Sequence, residues 1–481
     1  MFLQPVLYIV GMTISVLGVA MLLPAVAEWV TGGPDGTAFL ASALTVGAAG
    51  IVLVLAFRSD NPRMTVRQIF VLTNVSWLAA TIASAVPFMV VEANLGLADA
   101  VFEAMSGLTT TGSTVMVGLD AMPAGILLWR GLTQGVGGIG IIVMAMAVLP
   151  KLHVAGMQLF QSESSERSEK VLPHWAQVTR AIVLVYIGLV VACALVYRLL
   201  GMSTFDAVVH AMTTISTGGY ANYDSSFGHF ASPAIEWAGC LFMVLGALPF
   251  VFYIQLATRQ HRDALRNPQV ATFAVFLLVV IAVLAAWLVA TGRHGALDAL
   301  RFAAFNIVSV VTTTGYVTED YSLWGPFAMV AFFFLTFVGG CTGSTAGGVK
   351  IFHFQILMAV ARVQIRRLFH PHGVFVARYG RKPVPDAVLA SVLSFLLLYV
   401  LSFTAFSLVL ALLGLDLTTA LSGAATALAN VGPGLGATIG PAGNFSTLSD
   451  PAKWVLSLAM LMGRLELFTV LVLFAPSFWR D

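Results

Sequence analysis

Thr312-Thr313-Thr314-Gly315-Tyr316 closes one apolar helical stretch and precedes another, and the arrangement recurs three more times in the 481-residue chain. The counterparts are Thr109-Thr110-Thr111-Gly112, Ser216-Thr217-Gly218-Gly219 and Asn430-Val431-Gly432-Pro433-Gly434. Aligned on Gly112, Gly218, Gly315 and Gly432, the segments return roughly every hundred residues, which marks an internal repeat. One Thr-Thr-Thr-Gly alone reads as a polar helix C-cap. Four at equivalent positions fit a ring. Glycine lets backbone carbonyls turn toward an axis, where they can replace the water shell of a desolvated monovalent cation such as potassium. The candidate ion-binding residues are Thr110, Thr111, Gly112, Ser216, Thr217, Gly218, Thr313, Thr314, Gly315, Asn430, Val431 and Gly432. None of the four segments carries Asp or Glu, so the carboxylate ring usual in divalent-cation pores is missing.

Composition fixes the setting. The chain is 59% hydrophobic and only 10% charged, with mean hydropathy +0.92. A soluble domain carries about 25% charged residues, so an integral membrane protein is expected. At about 20 residues per span, there is room for roughly ten membrane helices and no soluble domain. The net charge of +2 argues against a nucleic-acid partner. Cys193, Cys240 and Cys341 lack ligand spacing. The first apolar run, Phe2 to Ala27, is too long for a signal-peptide core and reads as a retained span.

The expected fold is therefore all-α and membrane-embedded: four pseudo-symmetric helix–pore loop–helix units plus two N-terminal transmembrane helices. The division is 1–66 for the two-helix extension, then units at 67–170, 171–268, 269–383 and 384–481. The short helices at 98–110, 204–215, 297–312 and 416–429 cannot cross a bilayer and suit pore helices, because irregular backbone at membrane depth must line a wet cavity or be buried in protein. The second spans are expected at 123–150, 233–258, 322–367 and 451–479. Asp99 and Asp206 open two of the short helices and read as N-caps.

Alternating spans place most of the 24 basic residues, among them Arg58, Arg63, Lys151, Arg167, Arg259, Arg366 and Arg381, on one face. That face should be cytoplasmic by the positive-inside rule. Most acids fall on the opposite face with the four segments, including Glu28, Glu92, Glu103, Asp120, Asp224, Asp320 and Asp416. Two readings fit them, a cation-attracting vestibule and ordinary helix capping.

The second span of unit three is interrupted by Gly339-Gly340-Cys341-Thr342-Gly343-Ser344-Thr345-Ala346-Gly347-Gly348, which cannot propagate a helix well. A loop there would lie beneath the ring and could obstruct it; a packing kink is the alternative. The candidate gate residues are Gly339, Gly340, Gly343, Ser344, Thr345, Gly347, Gly348, Lys350 and Arg464. Arg464 falls near mid-membrane, where an Arg costs at least about 2.5–3.5 kcal/mol, so it should face water or a partner. It could hold the loop through its carbonyls or form a structural ion pair, for which Glu466 is an imperfectly placed acid. Lys350 equally fits snorkelling to the interface. Gly135-Val136-Gly137-Gly138-Ile139-Gly140 matches a dinucleotide fingerprint but lies inside a span, so close helix packing is the better reading. No catalytic constellation is present in the sequence, and no enzyme activity is expected.

These segments, with the Gly-rich interruption and Met462-Gly463-Arg464-Leu465-Glu466, resemble the Trk/Ktr/HKT superfamily of potassium transporters over essentially the whole chain. The two extra N-terminal helices are most similar to the TrkH branch. The resemblance implies potassium uptake across a bacterial inner membrane, K⁺ as the only metal and no bound cofactor. It also implies a homodimer with one pore per protomer, and a cytosolic TrkA-like ring that alone binds nucleotide. By the same resemblance, 339–348 is an intramembrane gate loop and Arg464 lies beneath the filter. Gly112 argues for potassium over sodium. The basic stretch Arg362 to Lys382 fits ring docking and positive-inside excess equally. An alternating-access cation symporter, coupled to K⁺ or Na⁺, is the competing reading.

Overall fold

The computed structural model describes residues 3–58, 64–91, 93–147, 175–257, 267–380 and 382–480. Arg63, Glu92, Lys151, Arg167, Arg259 and Arg381, and the expected boundary between 170 and 171, lie outside the described residues. Among the described residues, seven helical segments are long and apolar enough to cross a membrane, or nine if two sharply bent pairs each count as one span.

The N-terminal pair is Gln4–Thr31 and Gly36–Ala56. It packs through small residues: a Cβ on Gly18 would collide with the Gly47 backbone, and one on Gly50 with Ser15. Such residues let helices approach where apolar lipid supplies no hydrophobic drive. The outer helix of unit one, Val66–Val90, starts at a capping box in which Thr65 and Gln68 satisfy each other's backbone N–H groups. Asn267 caps Pro268–Ala290 in unit three, with proline in the first turn.

The short helices are Leu97–Leu108, Thr204–Ile215, Ala296–Val311 and Leu417–Ala429. Their starts correct one expectation. Asp99 and Asp206 sit in the first turn, and the caps are Gly96 and Ser203, whose hydroxyl accepts from the Asp206 N–H at 3.0 Å. A carboxylate is favoured in the first turn by the helix dipole as well as at the cap. Asp416, by contrast, is a true N-cap and accepts from Thr419 N.

The second helices wrap the assembly in cyclic order. Ala124–Ala147 packs on the short helix of unit two, Pro233–Ala247 on that of unit three, and Asp450–Arg464 on that of unit one. Only the break in unit three was expected. The second span of unit two also bends, by 90°, between Ala247 and Phe250, and that of unit four bends by 109° after Arg464. The physical reasons are local. Pro249 removes a backbone donor, and Glu466 and Leu467 take left-handed backbone (φ 58° and 42°), which stops the helix.

Candidate functional site

All four short helices end alike. Thr110, Thr217, Thr313 and Asn430 have φ of 50°, 51°, 58° and 55°. In each case the next residue's N–H reaches back five residues: Thr111 to Ser106 (2.8 Å), Gly218 to Thr213 (2.9 Å), Thr314 to Ser309 (2.8 Å) and Val431 to Thr426 (3.1 Å). This is a helix C-terminal motif built on a left-handed residue, a position normally given to glycine. Threonine there is strained by about 1–3 kcal/mol. Such strain, repeated four times, persists only where the surroundings impose it.

Two residues past each strained position stands a glycine with positive φ: Gly112 (87°), Gly219 (73°), Gly315 (81°) and Gly432 (114°). The register in unit two is therefore one residue later than the sequence alignment placed it. Gly219 is the counterpart of Gly112, and Gly218 corresponds to Thr111, Thr314 and Val431. The paired glycines of Gly218-Gly219 made both alignments available, and only backbone geometry separates them.

The segments meet around a closed circuit. A Cβ on Gly112 would collide with the Gly218 carbonyl oxygen, one on Gly219 with Thr314 O, and one on Gly315 with Val431 O. One on Gly432 would press on Thr111 O at 2.9 Å. Side chains tie the seam between units four and one: Ser113 Oγ donates to Gly432 O at 2.7 Å, and Asn430 Nδ2 to Thr111 Oγ1 at 3.0 Å. Thr109 with Thr111, and Thr312 with Thr314, join hydroxyls at 2.8 Å. All of Thr110, Thr111, Ser216, Thr217, Thr313, Thr314, Asn430 and Val431 are buried. Among the described residues no cluster of His, Cys, Asp or Glu could hold a metal ion, so the oxygens gathered here are carbonyls and hydroxyls.

Directly below lies the interrupted stretch of unit three. Its ends are drawn together by a parallel bridge between Val338 and Val349, and Gly339 N donates to Val349 O at 2.9 Å. Gly339 and Gly340 are packed against Gly347 and Ala346 too closely for a side chain. The far side of the loop touches three of the four segments. Thr217 Oγ1 meets Thr345 Oγ1 at 3.2 Å, Gly347 N donates to Thr313 Oγ1 at 2.7 Å, and a Cβ on Gly347 would strike Ala429 O. Thr345 Oγ1 also reaches Ile215 O and Gly246 O. Ser344 Oγ closes a local turn on Cys341 O at 2.6 Å, and Gly343 O accepts from Phe250 N at 2.9 Å.

Arg464 is buried and donates from Nη1 to Thr345 O at 2.9 Å. Among the described residues no carboxylate lies within ion-pair reach of it, Glu466 included, so of the two expectations the geometry favours the loop carbonyl. Lys350 also turns inward, donating to Ala346 O and Gly347 O. A cavity beneath the loop is lined by Gly343, Gly347, Lys350, Arg464 and Glu466.

On the other face many acids are occupied by the protein itself. Glu28 accepts from Gly125 N, Asp224 from Gly118 N and Leu119 N, and Asp320 from Ser322 N. Glu103 pairs with Arg130 at 2.9 Å while also holding Thr114 and Val115 N. The structural reading of these acids thus takes precedence over the vestibule. In the loop over unit two, burial and the Asp206 carboxylate push the Tyr223 hydroxyl up to about 12.

The G-x-G-x-x-G stretch is packing surface. Gly137 stands against Leu108 O and Gly138 against Ser216. The sequence reading missed the polar residues on the same helix face: Arg130 and Gln134 precede Gly137 and Gly138 at helical spacing. That periodicity was the available signal.

Residues 36–480 match the TrkH family, described as cation transport proteins. The chain belongs to the TrkH family. It is accordingly a multi-pass membrane protein whose relatives are transporters. It is 49% identical to the Trk system potassium uptake protein TrkI of Halomonas elongata, over 99% of this chain and 97% of that protein. It is 36% identical to TrkH of Escherichia coli K12, over 98% of both. The crystal structure of the potassium transporter TrkH from Vibrio parahaemolyticus superposes with TM-score 0.92 at 33% identity, covering both chains completely.

Proposed function

We propose that this chain takes up potassium through the ring formed by Thr110–Gly112, Ser216–Gly219, Thr313–Gly315 and Asn430–Gly432, and that the 339–348 loop gates it from below. The observation that carries the reading is the shared left-handed cap, repeated four times and closed into a circuit. A ring of carbonyls and hydroxyls without carboxylates suits a desolvated monovalent cation. The names of the relatives support potassium as that cation. Thr345 and Gly347 would block the path at rest, held by Arg464 and Lys350, and uptake would require the loop to leave. The finer reading is a homodimer with one pore per protomer in a bacterial inner membrane. Its filter faces outward, and it docks a cytosolic TrkA-like ring through basic residues including Arg366, Arg367 and Arg378. Nucleotide would bind only that partner. The four units at 67–170, 171–268, 269–383 and 384–481 and the 1–66 extension belong to this proposal.

The test is potassium-tracer flux into liposomes holding the purified protein, with sodium as competitor, for wild type and Gly315→Ser. Fast uptake whose selectivity weakens in the variant supports a filter-based path. Slow, saturating uptake that needs an imposed proton or sodium gradient and ignores the substitution would replace it with alternating access.

A further inference from the structure

We infer that Gln134 is a positioning residue for the ion ring: it holds the Gly218 carbonyl from outside and sets how strictly the ring separates potassium from sodium. The inference rests on the uptake reading above. Gln134 lies on the unbroken second helix of unit one and is fully buried. Its Nε2 donates to Gly218 O at 2.7 Å, and its Oε1 accepts from Tyr220 N at 3.0 Å. Both ends of the amide are therefore committed to the unit-two segment, which fixes its orientation.

At the position before its ring glycine, unit two has no side chain to act as such a brace. In units one and three the residue before the ring glycine is a threonine, hydrogen-bonded to a hydroxyl of its own segment. In unit four that residue is Val431, and the neighbouring Asn430 bonds across to Thr111 and Met460 instead. Gly218 has no side chain. Its backbone does not require glycine either, because its φ is not positive. The three atoms nearest to a Cβ built at Gly218 all belong to the Gln134 amide. Glycine at 218 is thus explained by Gln134, and the doubled glycine of this segment is a steric record of that side chain.

The packing register isolates Gln134 further. Gly137, Gly246 and Gly463 each rest on the pore-helix carbonyl two residues before the left-handed position, at Leu108, Ile215 and Leu428. Three residues before these glycines stand Gln134, Met243 and Met460. Two of the three positions are apolar and only unit one supplies an amide. A carbonyl anchored through one lone pair keeps the other for an ion and cannot swing away. That stiffness penalises collapse around a smaller cation.

The test measures potassium and sodium uptake into liposomes for wild type, Gln134→Met, Gly218→Ala and the Gln134→Ala/Gly218→Ala pair. Gln134→Met installs the residue used in units two and four. It is expected to retain potassium uptake while the potassium-to-sodium ratio falls about fivefold or more, the scale of one lost buried hydrogen bond. Gly218→Ala alone should abolish uptake, and Gln134→Ala should restore it with the lowered ratio. A wild-type ratio in folded Gln134→Met overturns the inference, and so does a paired variant no better than Gly218→Ala. If Gln134→Met fails to elute as a folded species, the paired variant decides. Wild-type protein that shows no potassium uptake overturns the uptake reading itself, an outcome visible without any substitution.

Discussion

Above the level of the ring the four units are near copies; below it they part company. The second helix of unit one, Ala124–Ala147, passes the ring unbroken over its 24 residues, whereas those of units two, three and four all break at that depth. The breaks are not independent. A broken helix leaves carbonyls and N–H groups without intrahelical partners, and the loop of unit three takes them up. Cys341 N and Thr345 N donate to Ala247 O and Gly246 O at the unit-two break, Phe250 N returns a bond to Gly343 O, and Arg464 at the unit-four break holds Thr345 O. Repetition serves whatever the ring must do equally from four sides. Departure from it builds a single loop packed against the ring, which one axis can accommodate only once.

Substitutions in the repeated ring and in the single loop should act differently. The largest effect is expected from Gly463→Ala, which drives a Cβ into Leu428 O where helix and ring support are packed backbone to backbone. Overpacking of this kind costs about 1–3 kcal/mol or more. Melting of the solubilised protein should fall by several degrees and uptake should be lost. Gly188→Ala, with nothing within 4 Å of the added Cβ, should leave both intact. Next is Arg464→Ala. Losing a hydrogen bond from a charged group is worth about 1.5–3 kcal/mol, so the loop should leave the path more often. Tracer uptake should rise several-fold with selectivity unchanged; slower uptake would mean the arginine supports the ring instead. Thr345→Val removes a neutral hydroxyl shared by Ile215 O and Gly246 O, and about 1 kcal/mol should give a smaller increase in the same assay.

The smallest effect belongs to the start of the short helix of unit four. The Thr419 hydroxyl and backbone N–H hold the Asp416 carboxyl below its ordinary value of 3.8. Its contribution is therefore complete above that value and is lost as pH falls through the lower, folded value. Melting curves between pH 5 and pH 2 should show this loss in wild type. Asp416→Asn, which caps without titrating, should show less of it.

The repeat, the short helices and the unit-three interruption were all legible in the sequence, because each has a chemical signature of its own. Apolar runs set the spans, Thr/Ser–Gly text marks the ring, and clustered glycines cannot stay helical. What escaped has no such signature. Choosing between Gly218 and Gly219 required φ angles, since either glycine fits the text. The bend after Arg464 comes from left-handed backbone at Glu466 and Leu467, residues that give no local warning. Gln134 could have been noticed as an amide four residues from Arg130 on an otherwise mostly apolar helix, but its partner lies on another unit and only the fold brings them together.

The proposed uptake path requires the four segments to form one site for a potassium-sized ion. The most direct measurement is the melting temperature of the wild-type protein in detergent, in potassium, rubidium, sodium and choline chloride at equal ionic strength. An ion bound only by the folded state stabilises it by about 2.7 kcal/mol at a hundred times its dissociation constant. Melting several degrees higher in potassium and rubidium than in sodium or choline is the predicted result. The same melting temperature in all four salts would contradict it.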